Sequence, residues 1–242
     1  MKILIVRHGD PDYTIDSLTE QGHIEAQYLA EKLSRLDVKD FYVSPLGRAR
    51  HTADYTLKKL NREATVCDWL REFPASIIRP DRDKPSIVWD WLPQDWCNEK
   101  EFYSAEDWTN GPRIKDSNAK EHYNNVISEF DKLLKKHGYE RNGNYYNAVN
   151  ANEDTIVLFC HFGVECVLLS HLLGVSPMVL WHGFCAAPTS VTTIITEERR
   201  KGITYFRINA FGDTSHLYAK GEEPSFAARF CETYDNSLQR HD

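Results

Sequence analysis

The six cysteines include no Cys-x-x-Cys pair and form no dense framework. A disulfide-stapled secreted scaffold is thereby excluded, a thiolate metal site is disfavoured, and reduced thiols in the cytoplasm are expected. Basic charge is also short: 29 Lys and Arg against 36 Asp and Glu leave a formal net charge of −7. General nucleic-acid binding needs a basic face, so no nucleic-acid partner is expected. A few local arginines can still set the field inside a cleft for an anionic substrate. No apolar run approaches membrane-spanning length, and the short one at residues 3–6 lacks a secretion-signal pattern. No membrane partner is therefore expected. Internal repeats and low-complexity linkers are missing too. What is present, 41% hydrophobic and 27% charged residues in a chain of 242, suits one large soluble domain with room for an insertion.

The chemistry starts at the N-terminus, Met-Lys-Ile-Leu-Ile-Val-Arg-His-Gly. The apolar run at 3–6 reads as a strand buried on both faces. Ligands of open α/β sheets bind beyond the carboxyl ends of strands, where Arg7 and His8 would stand. A guanidinium fork there suits an anion, an imidazole suits proton transfer or nucleophilic attack, and Gly9 lets the backbone turn close to a ligand. Asp10 to Ser17 is a polar loop. Thr19 then caps a helix with Glu20 in its first turn, and Ala26, Leu29, Ala30, Leu33 and Leu36 give one apolar stripe. Residues 40–43 read as a second strand. Ser44-Pro45 reads as the cap and first turn of a second helix that carries Arg48 near the sheet end of His8. Residues 64–67 read as a third strand, and this alternation implies a parallel sheet covered on both faces.

Residues 74–149 break the rhythm. Trp89, Trp91, Trp96 and Trp108 lie among prolines and arginines, which predicts an insertion with a small aromatic core of its own, either a lid or structural padding. A returning helix is expected over 123–137 and an asparagine-rich loop over 142–152. The strand at 155–160 again ends in a histidine and a glycine, His161 and Gly163, followed by a helix that Gly174 stops. Parallel neighbouring strands would bring His8 and His161 to one end of the sheet. A hairpin over 189–209 and a loop with Asp213 and His216 follow. The predicted fold is a three-layer α/β/α domain spanning 1–242, with a mostly parallel central sheet, the inserted segment 74–149 and a C-terminal hairpin.

Five local patterns in this order resemble the histidine phosphatase superfamily, the phosphoglycerate-mutase-like proteins. They are Arg7-His8-Gly9, Leu18-Thr19-Glu20-Gln21-Gly22, Ser44-Pro45-Leu46-Gly47-Arg48-Ala49 with Thr52-Ala53, Leu70-Arg71-Glu72, and His161 with Gly163. The resemblance implies a metal-independent, acid-type phosphomonoesterase without a cofactor. His8 would carry the phosphoryl group, and Arg7, Gly9, Arg48 and His161 would bind its oxygens. Glu72 would protonate the leaving oxygen and then activate water. His216 is a further candidate for phosphate contact or for bracing the site. Taken singly, Arg7 and Arg48 pass for solvated charges, His161 for a core histidine and Glu72 for a surface acid; their joint pattern separates them from His23, His51, His122, His137, His171 and His182, which are read as structural. A phosphoglycerate-type mutase and a non-catalytic phospho-ligand or protein-binding member are the alternatives. Glu72-Phe73-Pro74-Ala75-Ser76 departs from the Glu-Arg-His-Tyr-Gly of glycolytic mutases, and Phe162 and His51 replace the small residue and the glutamine often found at their places.

Overall fold

The first strand, β1 (Lys2–Arg7), lies inside the sheet because its alternate side chains serve two different cores. Ile3 and Ile5 point to one face, Leu4 and Val6 to the other, and all four are buried. The structure, a computed structural model, describes residues 1–241, residue 228 by its backbone alone.

A two-residue ladder, β2 (Pro11–Asp12) with β3 (Ser17–Leu18), leads into α1 (Glu20–Leu33), whose first turn is capped by Thr19 as expected. Leu36 falls beyond the helix and stays exposed. Then come β4 (Asp40–Val43), α2 (Gly47–Leu60) and β5 (Thr65–Val66), the last shorter than predicted and exposed on an edge. Helix α2 starts two residues later than Ser44-Pro45 predicts. Leu46 is its cap position, and the Ser44 hydroxyl is engaged elsewhere, with His161.

The segment 74–149 opens with the hairpin β6 (Ser76–Ile78) and β7 (Pro85–Ile87) and the short helix α3 (Pro93–Trp96). It continues into α4 (Ala119–Lys136) and a second hairpin, β8 (Tyr139–Asn142) and β9 (Tyr145–Ala148). That hairpin replaces the expected asparagine-rich loop. Gly143, at φ 60°, supplies the positive φ that a two-residue loop needs. The aromatic residues do not form a separate core. Trp91, Phe102 and Trp108 belong to the same buried cluster as Ile3 and Ile5, and Trp108 meets Trp181 edge-on at 5.5 Å.

β10 (Thr155–Cys160), α5 (Phe162–Leu173), α6 (Pro177–Gly183), β11 (Val191–Arg200), β12 (Ile203–Asp213) and α7 (Ser215–Tyr218) complete the fold. Among the described residues, eight strands form one sheet in the order β5-β4-β10-β1-β11-β12-β9-β8. From β5 to β1 the pairing is parallel; from β1 outward it is antiparallel, because the C-terminal hairpin and the β8–β9 hairpin extend the sheet. Helices α1 and α2 cover one face, packing Leu29, Leu33 and Ala53 on Leu4, Val6 and Phe159. Helices α4, α5 and α6 cover the other. The result is the expected three-layer α/β/α arrangement. In the β1–β10 register Arg7 faces Cys160, so His8 and His161 leave the sheet side by side.

Candidate active site

His8 is held by its backbone before its side chain does anything. Its N–H donates to the Cys160 carbonyl at 3.1 Å, and its carbonyl accepts from the Thr189 N–H at 3.1 Å. Thr189 sits at φ 57°, a left-handed conformation unusual for a β-branched residue, which is the kind of strain found where a segment must be aimed. The next amide, Gly9 N–H, donates to the Thr52 hydroxyl at 2.9 Å, and that hydroxyl donates to the Arg48 carbonyl at 2.8 Å. The loop after β1 is thus tied to α2. Glycine at position 9 is demanded by the α1 backbone, since a Cβ there would lie 2.8 Å from the Gly22 carbonyl oxygen. The Gly9 amide is spent on Thr52 and not held free for a ligand.

The His8 ring is buried, and its Nδ1 lies 2.7 Å from the Gly9 carbonyl. A carbonyl only accepts, so Nδ1 carries the proton and Nε2 keeps its lone pair. Burial holds the imidazole pKa well below its ordinary value, helped by Arg7 and Arg48 and opposed by the Gly9 bond. The His161 ring stands 5.1 Å away, tilted by 57°. Its Nε2 is 2.7 Å from the Ser44 hydroxyl, and its Nδ1 is buried without a partner. Its pKa also falls well below normal through burial, then His8, Arg48 and Arg7.

Two guanidinium groups face these rings. Arg7 donates one Nη1 bond to the Ala186 carbonyl, and its buried Nε is unpartnered. Arg48, in the first turn of α2, donates to Asp16 Oδ1 at 2.6 Å, while its buried Nε is likewise unpartnered. Asp16 also accepts the Gly47 N–H at 2.7 Å, so one carboxylate fixes both the helix start and the arginine. Unpartnered buried donors are costly unless a ligand takes them up.

Glu72 enters after the 3-10 turn Asp68–Leu70. Its Oε1 accepts from the N–H of Phe73 at 2.9 Å and of Val164 at 3.1 Å, which leaves Oε2 for other work. Burial raises its pKa above the ordinary carboxylate value, against the pull of these N–H groups, Arg48 and Arg7. Gly163 exists to let this carboxyl in: a Cβ there would stand 2.5 Å from Glu72 Oε1 and 2.8 Å from Trp89 Nε1. Gly163→Ala is therefore expected to push the carboxyl aside and, if Glu72 acts as the sequence pattern predicts, to lower kcat/KM for an alkyl phosphate about a hundredfold, the usual penalty for a misplacement near 1 Å. The same ratio for nitrophenyl phosphate, which reports only the steps up to phosphoryl transfer and whose leaving group needs no proton, should fall much less; equal losses in kcat/KM would contradict this reading.

The structure brings Arg7, His8, Arg48, Glu72 and His161 to one end of the parallel strands. His216, in α7 and not in a loop, stands behind them. Its Nε2 is 3.0 Å from the Thr189 hydroxyl, and burial lowers its pKa to about 4. That contact suits bracing Thr189, and through it His8, better than contact with phosphate. Other histidines have structural partners: His23 with Tyr55, His51 with Ser17, His137 with Tyr42, His171 with Asp131, and His182 with Met178 and Trp91; His122 lies edge-on to the Phe73 ring. The sequence reading missed Asp16, Ser44 as the His161 partner, the Ala186 carbonyl, Thr189 and Trp89. Among the described residues, no group of three or more His, Cys, Asp or Glu side chains is placed to hold a metal ion.

The end of the parallel strands thus gathers two buried imidazoles, two guanidiniums and a carboxyl of raised pKa, the residues that the sequence pattern predicts there. Residues 3–209 match the model of the histidine phosphatase superfamily (branch 1), and the chain belongs to that superfamily. A Schizosaccharomyces pombe protein described as a probable phosphatase is 25% identical over 232 residues, covering 90% of this chain and 95% of the relative. A 2,3-bisphosphoglycerate-dependent phosphoglycerate mutase of Thermoplasma acidophilum is 38% identical over 77 residues, 27% of this chain and 38% of the mutase. In fold the chain is similar to an Entamoeba histolytica phosphoserine phosphatase mutant solved with phosphoserine (TM-score 0.57, 18% identity, 89% of this chain and 98% of that one). Among the described residues, no helix is long and apolar enough to cross a membrane.

Proposed function

We propose that this chain is a phosphomonoesterase that works through a phosphohistidine at His8 on a small phosphorylated substrate. The observation that carries the proposal is the His8 ring itself: buried, neutral, its Nδ1 proton given to the Gly9 carbonyl, its Nε2 lone pair uncommitted beside Arg7, Arg48 and His161. Nε2 attacks phosphorus, the P–O ester bond breaks, and Glu72 gives its proton to the departing oxygen. The Glu72 carboxylate then takes a proton from water. The resulting hydroxide attacks phosphorus, the N–P bond breaks, and phosphate leaves with Glu72 protonated again. Arg7 and Arg48 offer fork nitrogens to the phosphoryl oxygens as charge develops. The His161 tautomer that accepts from Ser44 at Nε2 carries its proton on Nδ1, a donor for a third oxygen.

The pKa directions support an acid-type enzyme. The lowered His8 pKa keeps the nucleophile neutral as pH falls well below the usual imidazole range. The raised Glu72 pKa keeps the donor protonated above the usual carboxylate range. Both groups are in the working form between those two values, so activity should decline as pH rises through the Glu72 pKa. The insertion contributes Trp89 to the wall beside Glu72, which supports reading segment 74–149 as a border or lid of the site. The names of the similar structures, phosphoserine phosphatase and mycobacterial glucosyl-3-phosphoglycerate phosphatase, support a small phosphorylated metabolite as substrate. The six cysteines, with no Cys-x-x-Cys pair and no dense framework, support a reducing, cytoplasmic setting.

Glu72→Gln tests the proposal. With nitrophenyl phosphate the mutant should release a burst of nitrophenolate equal to the enzyme and then turn over slowly, because phosphorylation needs no proton donor while water activation does. With phosphoserine the first step should itself fall by on the order of a hundredfold or more. Equal loss for both esters with no burst would leave Glu72 without a part in the chemistry.

A further inference from the structure

The residue that stands against the Glu72 carboxyl comes from the inserted segment. The Trp89 indole approaches the same point above Gly163 as Glu72 Oε1, at 2.8 Å and 2.5 Å from a Cβ placed there. Its Nε1 reaches toward the Phe73 carbonyl at 3.4 Å, and its ring meets the Phe162 ring at 6.1 Å and 73°. Phe162 and Gly163 are the first two residues of α5, so the indole is wedged between the start of that helix and the donor.

We propose that Trp89 is a positioning residue for the proton donor: its indole shields the Glu72 carboxyl from water and so keeps it protonated for the leaving oxygen. The proposal rests on Glu72 being that donor. The hydrogen-bond donors and cations at the carboxyl work against protonation. The Phe73 and Val164 N–H groups and the charges of Arg48 from α2 and Arg7 from β1 all favour the carboxylate. From β10 and α5, Cys160, Glu165 and Cys166 face the same region. All three have pKa values raised by burial, which keeps the thiols neutral and brings Glu165 to about 7. Asp90, next to Trp89, is turned away onto Arg79 at 3.0 Å. Burial nevertheless wins at Glu72, and the indole ring whose Nε1 edge meets the carboxyl above Gly163 is the removable part of that burial. The insertion thereby sets which leaving groups the site accepts: with the indole in place, poor leaving groups such as alkoxides are served.

The test measures kcat/KM against pH for full-length Trp89→Ala and Trp89→Phe, with phosphoserine and nitrophenyl phosphate. kcat/KM reports steps up to phosphoryl transfer, and each substrate's own ionisation is common to all variants. In Trp89→Ala the descending limb on phosphoserine should move down by on the order of one pH unit. The phosphoserine-to-nitrophenyl ratio near pH 7 should fall about tenfold, one unit of lost protonation. Trp89→Phe, which keeps an apolar ring, should hold the wild-type limb. An unmoved limb in Trp89→Ala, or equal losses for the two esters, would overturn the role of Trp89. Glu72→Gln separates the two ideas. If that variant abolishes the limb while Trp89→Ala leaves it in place, the Trp89 proposal alone fails. If the limb survives glutamine at position 72, the donor lies elsewhere, and the reading beneath the proposal fails with it.

Discussion

Alanine at position 8 is expected to lower phosphate release by at least about a thousandfold, or roughly 4 kcal/mol of barrier. Without the imidazole no N–P bond forms, and water is left to attack a bound ester directly. The fold should survive. The imidazole makes one hydrogen bond, to the carbonyl of the next residue, whereas the backbone pins to Cys160 and Thr189 do not depend on it. A thermal melt alongside phosphate-release kinetics separates the two effects. A loss below tenfold in a folded protein would remove His8 as the nucleophile.

Arg48→Ala is expected to cost on the order of a hundredfold in kcat/KM for nitrophenyl phosphate, the usual effect of deleting one preorganised donor to developing charge. Arg48 is mostly buried, and its fork is half committed to Asp16. Deletion therefore removes a fixed group, and the stranded Asp16 side chain, 44% exposed, is solvated at little cost. Asp16→Asn gives a graded version: it loosens the clamp while keeping the charge, so a smaller loss concentrated in kcat is expected. A change within about twofold for Arg48→Ala, under ~0.5 kcal/mol, would place it outside the site.

The parts of the fold that could be read from the sequence were those encoded by local pattern. The runs at 3–6 and 155–160 are buried on both faces, so they read as inner strands, and their parallel pairing brings His8 and His161 together. The supports of the site were not legible, because each is a contact between distant segments. Ser44 reads as a helix cap, and only the fold shows His161, 117 residues away, at its hydroxyl. Asp16 is one polar residue in a polar loop until α2 brings Arg48 to it. The hairpin at 139–148 hid behind its asparagines, although Gly143-Asn144 is a usable two-residue loop. The four tryptophans do cluster, as their density suggests, but onto the main core, because α4 and α6 carry that core out to meet them.

The most direct measurement is rapid-quench trapping of the phosphoenzyme with a labelled ester, followed by peptide mapping. Phosphate bound to a single histidine, lost in acid and retained in base, on the peptide carrying His8 is the expected result, with its amount rising in Glu72→Gln as water activation slows. No covalent label at any time point under turnover, or label on a residue other than His8, would contradict it.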